Sequence, residues 1–156
     1  MARVWQIVSR QELERIFAIR VKVFVEEQKV SHQSEVDDLD FSETTLHVLA
    51  TVDGKDAGTA RLMIGGPGQA KVGRVAVHEW ARGIGLGRAV MEKIHELARE
   101  HAADDDGVVR LELSGQDNAI GFYERLGYEV TTGEWYLDEN IWHQDMHLIL
   151  RRAEGR

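Results

Sequence analysis

The residue types at positions 82–88 are suited to binding a phosphate group. Glycine stands at every second position, 83, 85 and 87, and Arg82 and Arg88 flank this loop. An alternating pattern predicts a strand that ends near Val77, and an apolar stripe after the glycines predicts a helix. Glycines let backbone amides approach an anion, and the first N–H groups of a helix have no acceptors within it. Strand, glycine turn and helix in this order therefore predict a site for a phosphorylated cofactor.

The spacing of the glycines excludes two common phosphate-binding motifs. A dinucleotide fingerprint, Gly-x-Gly-x-x-Gly, requires a third glycine where this chain has Arg88 or Val90. A P-loop requires Gly-Lys-Ser or Gly-Lys-Thr, whereas Gly87 is followed by Arg88 and Ala89. The alternative is a glycine cluster that only packs a helix closely on a sheet. The flanking arginines favour the phosphate site.

Periodicity along the rest of the chain predicts a mixed α/β fold in which helices cover both faces of a mixed sheet. Ser9 to Glu12 form a capping box at the start of a helix, and Asp53-Gly54 predicts a hairpin turn. Residues 29–45 are acidic, have no clear period and are predicted to be mostly loop. The predicted strands are 3–8, 46–52, 57–64, 70–77, 108–114 and 144–150, and the predicted helices are 10–26, a long one after Gly85, and about 117–126, which Gly127 caps.

Composition limits the classes of function. With 156 residues, the chain is expected to form one domain over 1–156, ending in a polar tail at 151–156. The absence of cysteine excludes disulfides, thiolate metal ligands and an acyl-cysteine intermediate, so any acyl transfer should be direct. A net charge of −8 argues against nucleic acid as a partner and suits a cationic substrate. With no long apolar run and no signal-peptide core, we expect a cytoplasmic protein that has no membrane partner.

A second motif follows the predicted strand at 108–114. Residues 111–128 read LELSGQDNAIGFYERLGY. Together with Arg-x-x-Gly-x-Gly at 82–87, this stretch resembles the two cofactor motifs of the GNAT superfamily of acetyl-CoA-dependent N-acetyltransferases. The first half of the chain resembles the ElaA-like subgroup, so that the resemblance spans nearly the whole chain. The residues that carry this second likeness include Arg20, Glu27, Gln28, Glu35, Asp37, Asp40, His47, Arg61, Trp142 and His143.

The resemblance implies a mostly antiparallel central sheet flanked by helices and a specific set of contacts with acetyl-CoA or coenzyme A. No metal is expected, because no two histidines are spaced to bind zinc on one helix face and residues 37–40 lack the glycine and glutamate of an EF-hand loop. The backbone of Val75, Ala76 and Val77 is expected to bind the pantetheine arm, as the free edge of a strand can. Asn118 is expected to contact that arm, and Tyr123 to lie near the sulfur. The backbone amides of the loop are expected to bind the diphosphate, and its residues are Arg82, Gly83, Ile84, Gly85, Leu86, Gly87 and Arg88.

Amide formation from a thioester requires removal of a proton from the amine, stabilisation of an oxyanion and protonation of the departing thiolate. Tyr123 is the candidate acid; the alternative is that it is a core residue of an amphipathic helix. Glu35 and Asp37 are the candidate bases in the acidic segment, with Glu27 and Asp40 beside them; the alternative is a solvated acidic loop. His47 and His143 are either base or substrate contacts, or hydrogen-bonded structural residues on strands.

Other residue types leave alternatives open. Arg61 and Arg74 stand within apolar strand patterns, so each either pairs with a carboxylate or faces the cofactor cleft. We favour the cleft for Arg74 only. Trp80, Trp135 and Trp142 either line a substrate pocket or pack in the core or an interface.

The sequence thus predicts an acetyl-CoA-dependent N-acetyltransferase that acts on an amine of a small molecule or a peptide through a ternary complex. The competing interpretation is a non-catalytic acyl-CoA-binding sensor. An esterase-like hydrolase is disfavoured because Ser114 lacks the leading glycine of a nucleophile elbow. The identity of the amine and the oligomeric state stay open, a homodimer included.

Overall fold

Eight strands form the central sheet of the computed structural model, which describes residues 1–31 and 36–152. The order across the sheet is β1-β2-β3-β4-β5-β8-β6, and β7 also pairs with β8. All pairs are antiparallel except β4 with β5, which run parallel. This is the mixed, mostly antiparallel sheet that the sequence predicts. The strands are β1 (Ala2–Gln6), β2 (Thr45–Val52), β3 (Lys55–Ile64), β4 (Gln69–Val77), β5 (Val108–Gln116), β6 (Glu129–Val130), β7 (Tyr136–Asp138) and β8 (Ile141–Arg151).

Helices cover both faces of this sheet, as predicted. They are α1 (Arg10–Arg20), α2 (Leu86–His101) and α3 (Ile120–Arg125). On one face, α1 and its continuation bury a small apolar cluster that includes Ile16, Ile19 and Leu49. On the other face, α2 and α3 cover the larger core, which α2 enters through one apolar stripe. The side chain of Ser9 caps α1 by accepting from the backbone N–H of Glu12 at 3.1 Å.

Several boundaries differ from the predicted ones. The helix predicted over 10–26 changes to π-helical hydrogen bonding over Val21–Glu27, a change that apolar periodicity does not reveal. The acidic segment, predicted to be mostly loop, contains a short 3₁₀ helix at Asp38–Phe41. The last strand was predicted over 144–150 but starts at Ile141, and β6 and β7 were not predicted because they are only two and three residues long.

The glycine signals for turns are confirmed. Asp53 and Gly54 have φ angles of +51° and +80°, as a tight hairpin turn between β2 and β3 requires. Gly127 has a φ of +102° at the end of α3, where its N–H donates to the Glu124 carbonyl at 3.0 Å.

Candidate active site

A gap opens between β4 and β5 at the centre of the sheet. The two strands pair only from Gln69–Arg110 to Val72–Leu113. Beyond this point β4 stays with β3, and β5 stays with β8 as far as Gln116. A β-bulge marks the divergence, and Arg74 adopts a left-handed backbone within it, with a φ of +51°. Among residues 1–31 and 36–152, the β5-facing edge of β4 beyond Val72 therefore has no strand partner.

The three predicted pantetheine contacts lie along this open edge. Ala76 is buried, and Val75 and Val77 are half-buried at the end of β4. Because peptide groups on an edge without a strand partner can bind an extended chain that carries amides, these residues fit the predicted contact.

The glycine loop follows directly and leads into α2. Gly83 and Gly85 each have a φ of +83°, and a Cβ atom at either position would meet no heavy atom within 4 Å. Gly85 is the N-cap of α2, so the first N–H groups of that helix have no acceptors within it. Arg82, Ile84 and Arg88 are exposed, whereas Leu86 is buried and anchors the helix. The open space and the free N–H groups fit a diphosphate.

Gly87 has a different structural role from its neighbours. A Cβ atom there would lie 3.2 Å from Cζ of Phe122. Glycine at this position lets the first turn of α2 lie against α3, which carries Tyr123.

Arg82 joins the end of β4 to the end of the π-helical segment. Its guanidinium donates to both carboxylate oxygens of Glu27, at 2.5 and 2.9 Å, and its Nε donates to the carbonyl of Val77 at 3.0 Å. The hydrogen bonds from Arg82 lower the pKa of Glu27. An anion bound by the loop would compete with Glu27 for this guanidinium, because both offer oxygen acceptors to the same donors.

The second motif brings Asn118 and Tyr123 to the end of β5. Asn118 is exposed on the 3₁₀ turn at 117–119 and lines a cavity of about 270 Å³ together with Gln28 and Gln116. The amides of Gln28 and Gln116 hydrogen-bond each other at 2.9 and 3.3 Å, which joins the end of the π-helical segment to the end of β5.

Tyr123 is buried, with 7% of its surface exposed, and packs edge-on against Phe122 and Tyr128. A Cβ atom on Gly115 of β5 would lie 3.4 Å from the Tyr123 ring, so the ring approaches the strand that borders the gap. Burial raises the pKa of Tyr123, and its phenol is therefore protonated at neutral pH. Tyr123 is therefore a core residue with a protonated phenol, and its assignment as the acid stays a prediction.

Buried arginines and aspartates form a network of charges that joins the acidic segment to α1 and β3. The sequence does not predict these pairings. Arg61 donates to Asp37 at 2.7 and 3.0 Å and to Asp40 at 2.8 Å. Arg20 donates to the same oxygen of Asp40 at 2.8 Å, with neither side chain exposed. Arg74, for which we favoured the cleft, reaches Asp37 at 3.4 Å. The alternative left open for Arg61 is therefore settled in favour of carboxylate pairing.

The network affects the two candidate bases differently. Asp37 accepts from Arg61 with both oxygens, and these hydrogen bonds lower its pKa, so it holds a proton poorly at neutral pH. Glu35 lies outside the described residues. The assignment of either carboxylate as the base stays a prediction.

Both candidate histidines have structural contacts. His47 is buried; its Nε2 lies 3.0 Å from the carbonyl oxygen of Asp40 and its Nδ1 3.5 Å from Arg20. Burial lowers the pKa of His47, so a neutral ring that donates from Nε2 satisfies both contacts. The Nδ1 of His143 lies 2.7 Å from the carbonyl oxygen of Ile141, and the His143 ring stacks on Tyr136 at 5.9 Å.

The three tryptophans outside β1 occupy two different places. Trp80 stacks on His78 beside the glycine loop. Trp135 and Trp142, together with Asp117, line a cavity of about 440 Å³. Both are about half exposed, at 49% and 48%, so neither is a core residue.

Within residues 1–31 and 36–152, no group of three or more His, Cys, Asp or Glu side chains is arranged to hold a metal ion. Over the same residues, no helix has both the length and the apolar character needed to cross a bilayer.

Comparison with known proteins defines the class to which this fold and site belong. The family profile described as an acetyltransferase (GNAT) domain matches residues 8–150. The chain therefore belongs to the GNAT acetyltransferase family and is an acyltransferase enzyme.

Particular relatives agree with this assignment. The uncharacterized N-acetyltransferase YjcF of Bacillus subtilis (strain 168) is 31% identical over 138 residues, 88% of this chain and 93% of that protein. The structure of an acyl-CoA N-acyltransferase from Pseudomonas aeruginosa is 32% identical, with a TM-score of 0.78 over 98% of this chain and 99% of the other. The structure of Escherichia coli ElaA is 26% identical, with a TM-score of 0.81 over 94% and 99% of the two chains. The resemblance found in the sequence is confirmed.

Proposed function

We propose that this enzyme transfers an acetyl group from acetyl-CoA directly to a primary amine of a small molecule or a peptide. When bound, acetyl-CoA supplies an acetyl group activated as a thioester. The observation that carries the proposal is the divergence of β4 and β5 beside a glycine loop at the start of α2. An open peptide edge suits the amides of pantetheine, and the free N–H groups of the loop suit a diphosphate.

In this proposal the cofactor-binding residues act mainly through their backbone. Val75, Ala76 and Val77 bind the arm, and the loop from Arg82 to Arg88 binds the diphosphate. Asn118 contacts the arm from the opposite side of the gap. When the diphosphate binds, Arg82 pairs with it and releases Glu27. The positive charge of Arg82 therefore stays beside the gap with and without the cofactor.

Tyr123 is the proposed acid for the departing thiolate. Its buried phenol is protonated at neutral pH, and the ring lies against the strand that borders the gap. For the base, Glu35 is the proposed candidate. Asp37 is the weaker one, because a carboxylate bonded to two arginines is already stabilised in its charged form. The lack of cysteine agrees with transfer through a ternary complex.

The test is release of free thiol from acetyl-CoA in the presence of a panel of primary amines and peptides. Turnover that depends on the added amine supports the proposal. Tight binding of acetyl-CoA by calorimetry without turnover on any amine would favour the sensor instead. Failure of the folded protein to bind either acetyl-CoA or coenzyme A would reject both functions.

A further inference from the structure

Trp135, Trp142 and Asp117 line a surface cavity beside β7 and β8. Leu137 pairs with Trp142 in the register of β7 and β8, so the two side chains share a face of the sheet. Trp135 precedes β7 and lines the same cavity as Trp142. Two half-exposed indoles therefore line one cavity of about 440 Å³, with the carboxylate of Asp117 at its wall.

This set of groups is suited to an organic cation. Indole rings attract cations through their π faces, and a carboxylate adds direct charge attraction. Elsewhere in the described residues, arginines lie over Trp5, Phe17 and Phe41, so the chain already supplies the cation for those rings. No described arginine or lysine covers Trp135 or Trp142 or forms a salt bridge with Asp117. The net charge of −8 further favours a positively charged ligand.

The cavity continues towards the proposed cofactor site. The neighbouring cavity of about 270 Å³ shares Asp117 and Trp142 with it and extends to Gln116 and Asn118. Asn118 is the proposed contact of the pantetheine arm. The two cavities therefore adjoin at Asp117 and Trp142, next to the residue that is proposed to contact the pantetheine arm.

We propose that the Trp135–Trp142–Asp117 cavity binds a second positive charge of the acceptor, and that the substrate class is a diamine or a longer polyamine. The inference rests on the proposed function for the reacting amine only; binding of the second charge stands on the cavity. One amine of the substrate, once deprotonated, is acetylated near Asn118. The other remains an ammonium group between the indoles, beside the carboxylate of Asp117.

The kinetic test compares 1,5-diaminopentane with pentylamine as acceptors. The two chains have equal length and differ only in the second amine. We expect kcat/KM to be on the order of tenfold higher for the diamine. Asp117→Asn and Trp142→Leu should lower this ratio to the statistical factor that two equivalent amines give and leave the affinity for acetyl-CoA unchanged. The matched controls are Asp105→Asn, an exposed aspartate in a distant turn, and Trp80→Leu, an exposed tryptophan outside the cavity; both should keep the wild-type ratio.

A binding test separates this proposal from the proposed function. Tetramethylammonium cannot be acetylated, and its binding can be followed through the indole N–H signals of Trp135 and Trp142 in NMR spectra of the whole protein. Binding that Asp117→Asn abolishes, combined with no turnover on any amine, would support the cavity and reject the acetyltransferase function. Turnover with equal kcat/KM for the two acceptors and no shift of the indole signals would overturn the cavity proposal alone.

Discussion

Tyr123 combines two properties that a proton donor inside a protein requires. It is buried, so its phenol is protonated over the whole physiological pH range, and it packs between Phe122 and Tyr128 in a fixed orientation. Its ring lies against Gly115, where only hydrogen occupies the space that a Cβ atom would need. At the residue scale, therefore, the position of the Tyr123 ring depends on the small residue that faces it in β5.

Replacing Tyr123 by phenylalanine tests this assignment. We expect Tyr123→Phe to lower kcat by roughly 100-fold or more, because it removes the donor for the thiolate, with little change in the Kd for coenzyme A. The control is Tyr128→Phe, which removes another buried hydroxyl from the same aromatic cluster. That hydroxyl lies 2.8 Å from Nε2 of His95 and away from the proposed chemistry, so its loss should cost about 1 kcal/mol of stability and leave kcat unchanged. Equal kcat for Tyr123→Phe and the wild type would remove Tyr123 from the mechanism.

The left-handed glycine at the start of α2 gives a second prediction. Gly85→Trp should abolish calorimetric binding of coenzyme A, because the indole would occupy the space in front of the helix N–H groups. The φ of +83° adds a strain of about 1–2 kcal/mol. Gly54→Trp is the matched control, since Gly54 has a φ of +80° and equally open surroundings in the hairpin between β2 and β3. Melting curves should show a similar loss of thermal stability in the two variants. Only Gly85→Trp should lose calorimetric binding of coenzyme A. If Gly85→Trp still binds coenzyme A, the diphosphate site is contradicted.

At the scale of elements, the buried charges join three segments that are distant in the sequence. Arg20 comes from the end of α1, Asp40 from the 3₁₀ helix at 38–41, and Arg61 from β3. One carboxylate oxygen of Asp40 accepts from both arginines, so buried charge pairing joins the acidic segment to α1 and β3, beside the ring contact of Phe41 with Phe17. The segment is predicted to be mostly loop, with a solvated acidic loop as one alternative, whereas at Asp40 the structure buries the charge.

Asp40→Asn should therefore destabilise the protein strongly. The substitution preserves the shape of the side chain and leaves Arg20 and Arg61 buried without their shared counter-charge. The expected loss is about 3–5 kcal/mol in the free energy of unfolding, measured by urea denaturation. Glu92→Gln is the control, because its ion pair with Arg88 is exposed on both sides and should contribute less than about 1 kcal/mol. A small loss for Asp40→Asn, similar to that of the control, would show that the network does not hold the acidic segment.

The elements that sequence reasoning identified are those with a strong local signal. Periodicity predicts α2 and the long strands closely, and positive-φ glycines explain the turn at Gly54 and the loop at Gly85. The divergence of β4 from β5 has no such signal, since it depends on which strands become neighbours. The partners of Arg61 lie 21 and 24 residues away in the chain, so only the folded sheet brings them together. Pairing of this kind cannot be obtained from local pattern.

At the scale of the whole molecule, the core favours neutral histidines at neutral pH. Burial lowers the pKa of His95 from 6.5 to about 4, and it also lowers that of His47. Each ring sits in a separate layer of the protein, His95 on α2 and His47 on β2. Burial therefore disfavours the protonated form of both rings as the pH falls.

The pH dependence of stability follows from the sign of these shifts. An unfolded chain binds a proton at His95 with a pKa near 6.5, whereas the folded chain does so only near 4, so the free energy of unfolding falls as the pH drops through this interval. For His95 alone the expected loss between pH 7.5 and pH 5.0 is about 2 kcal/mol, and it approaches about 3 kcal/mol below pH 4.

His95→Gln should remove that part of the loss, because the amide can still hydrogen-bond the Tyr128 hydroxyl but does not titrate. His101→Gln, at the exposed end of the same helix, is the control and should behave like the wild type. Urea denaturation at pH 7.5 and pH 5.0 measures the loss in the free energy of unfolding. If His95→Gln loses as much as the wild type, His95 does not cause the acid destabilisation.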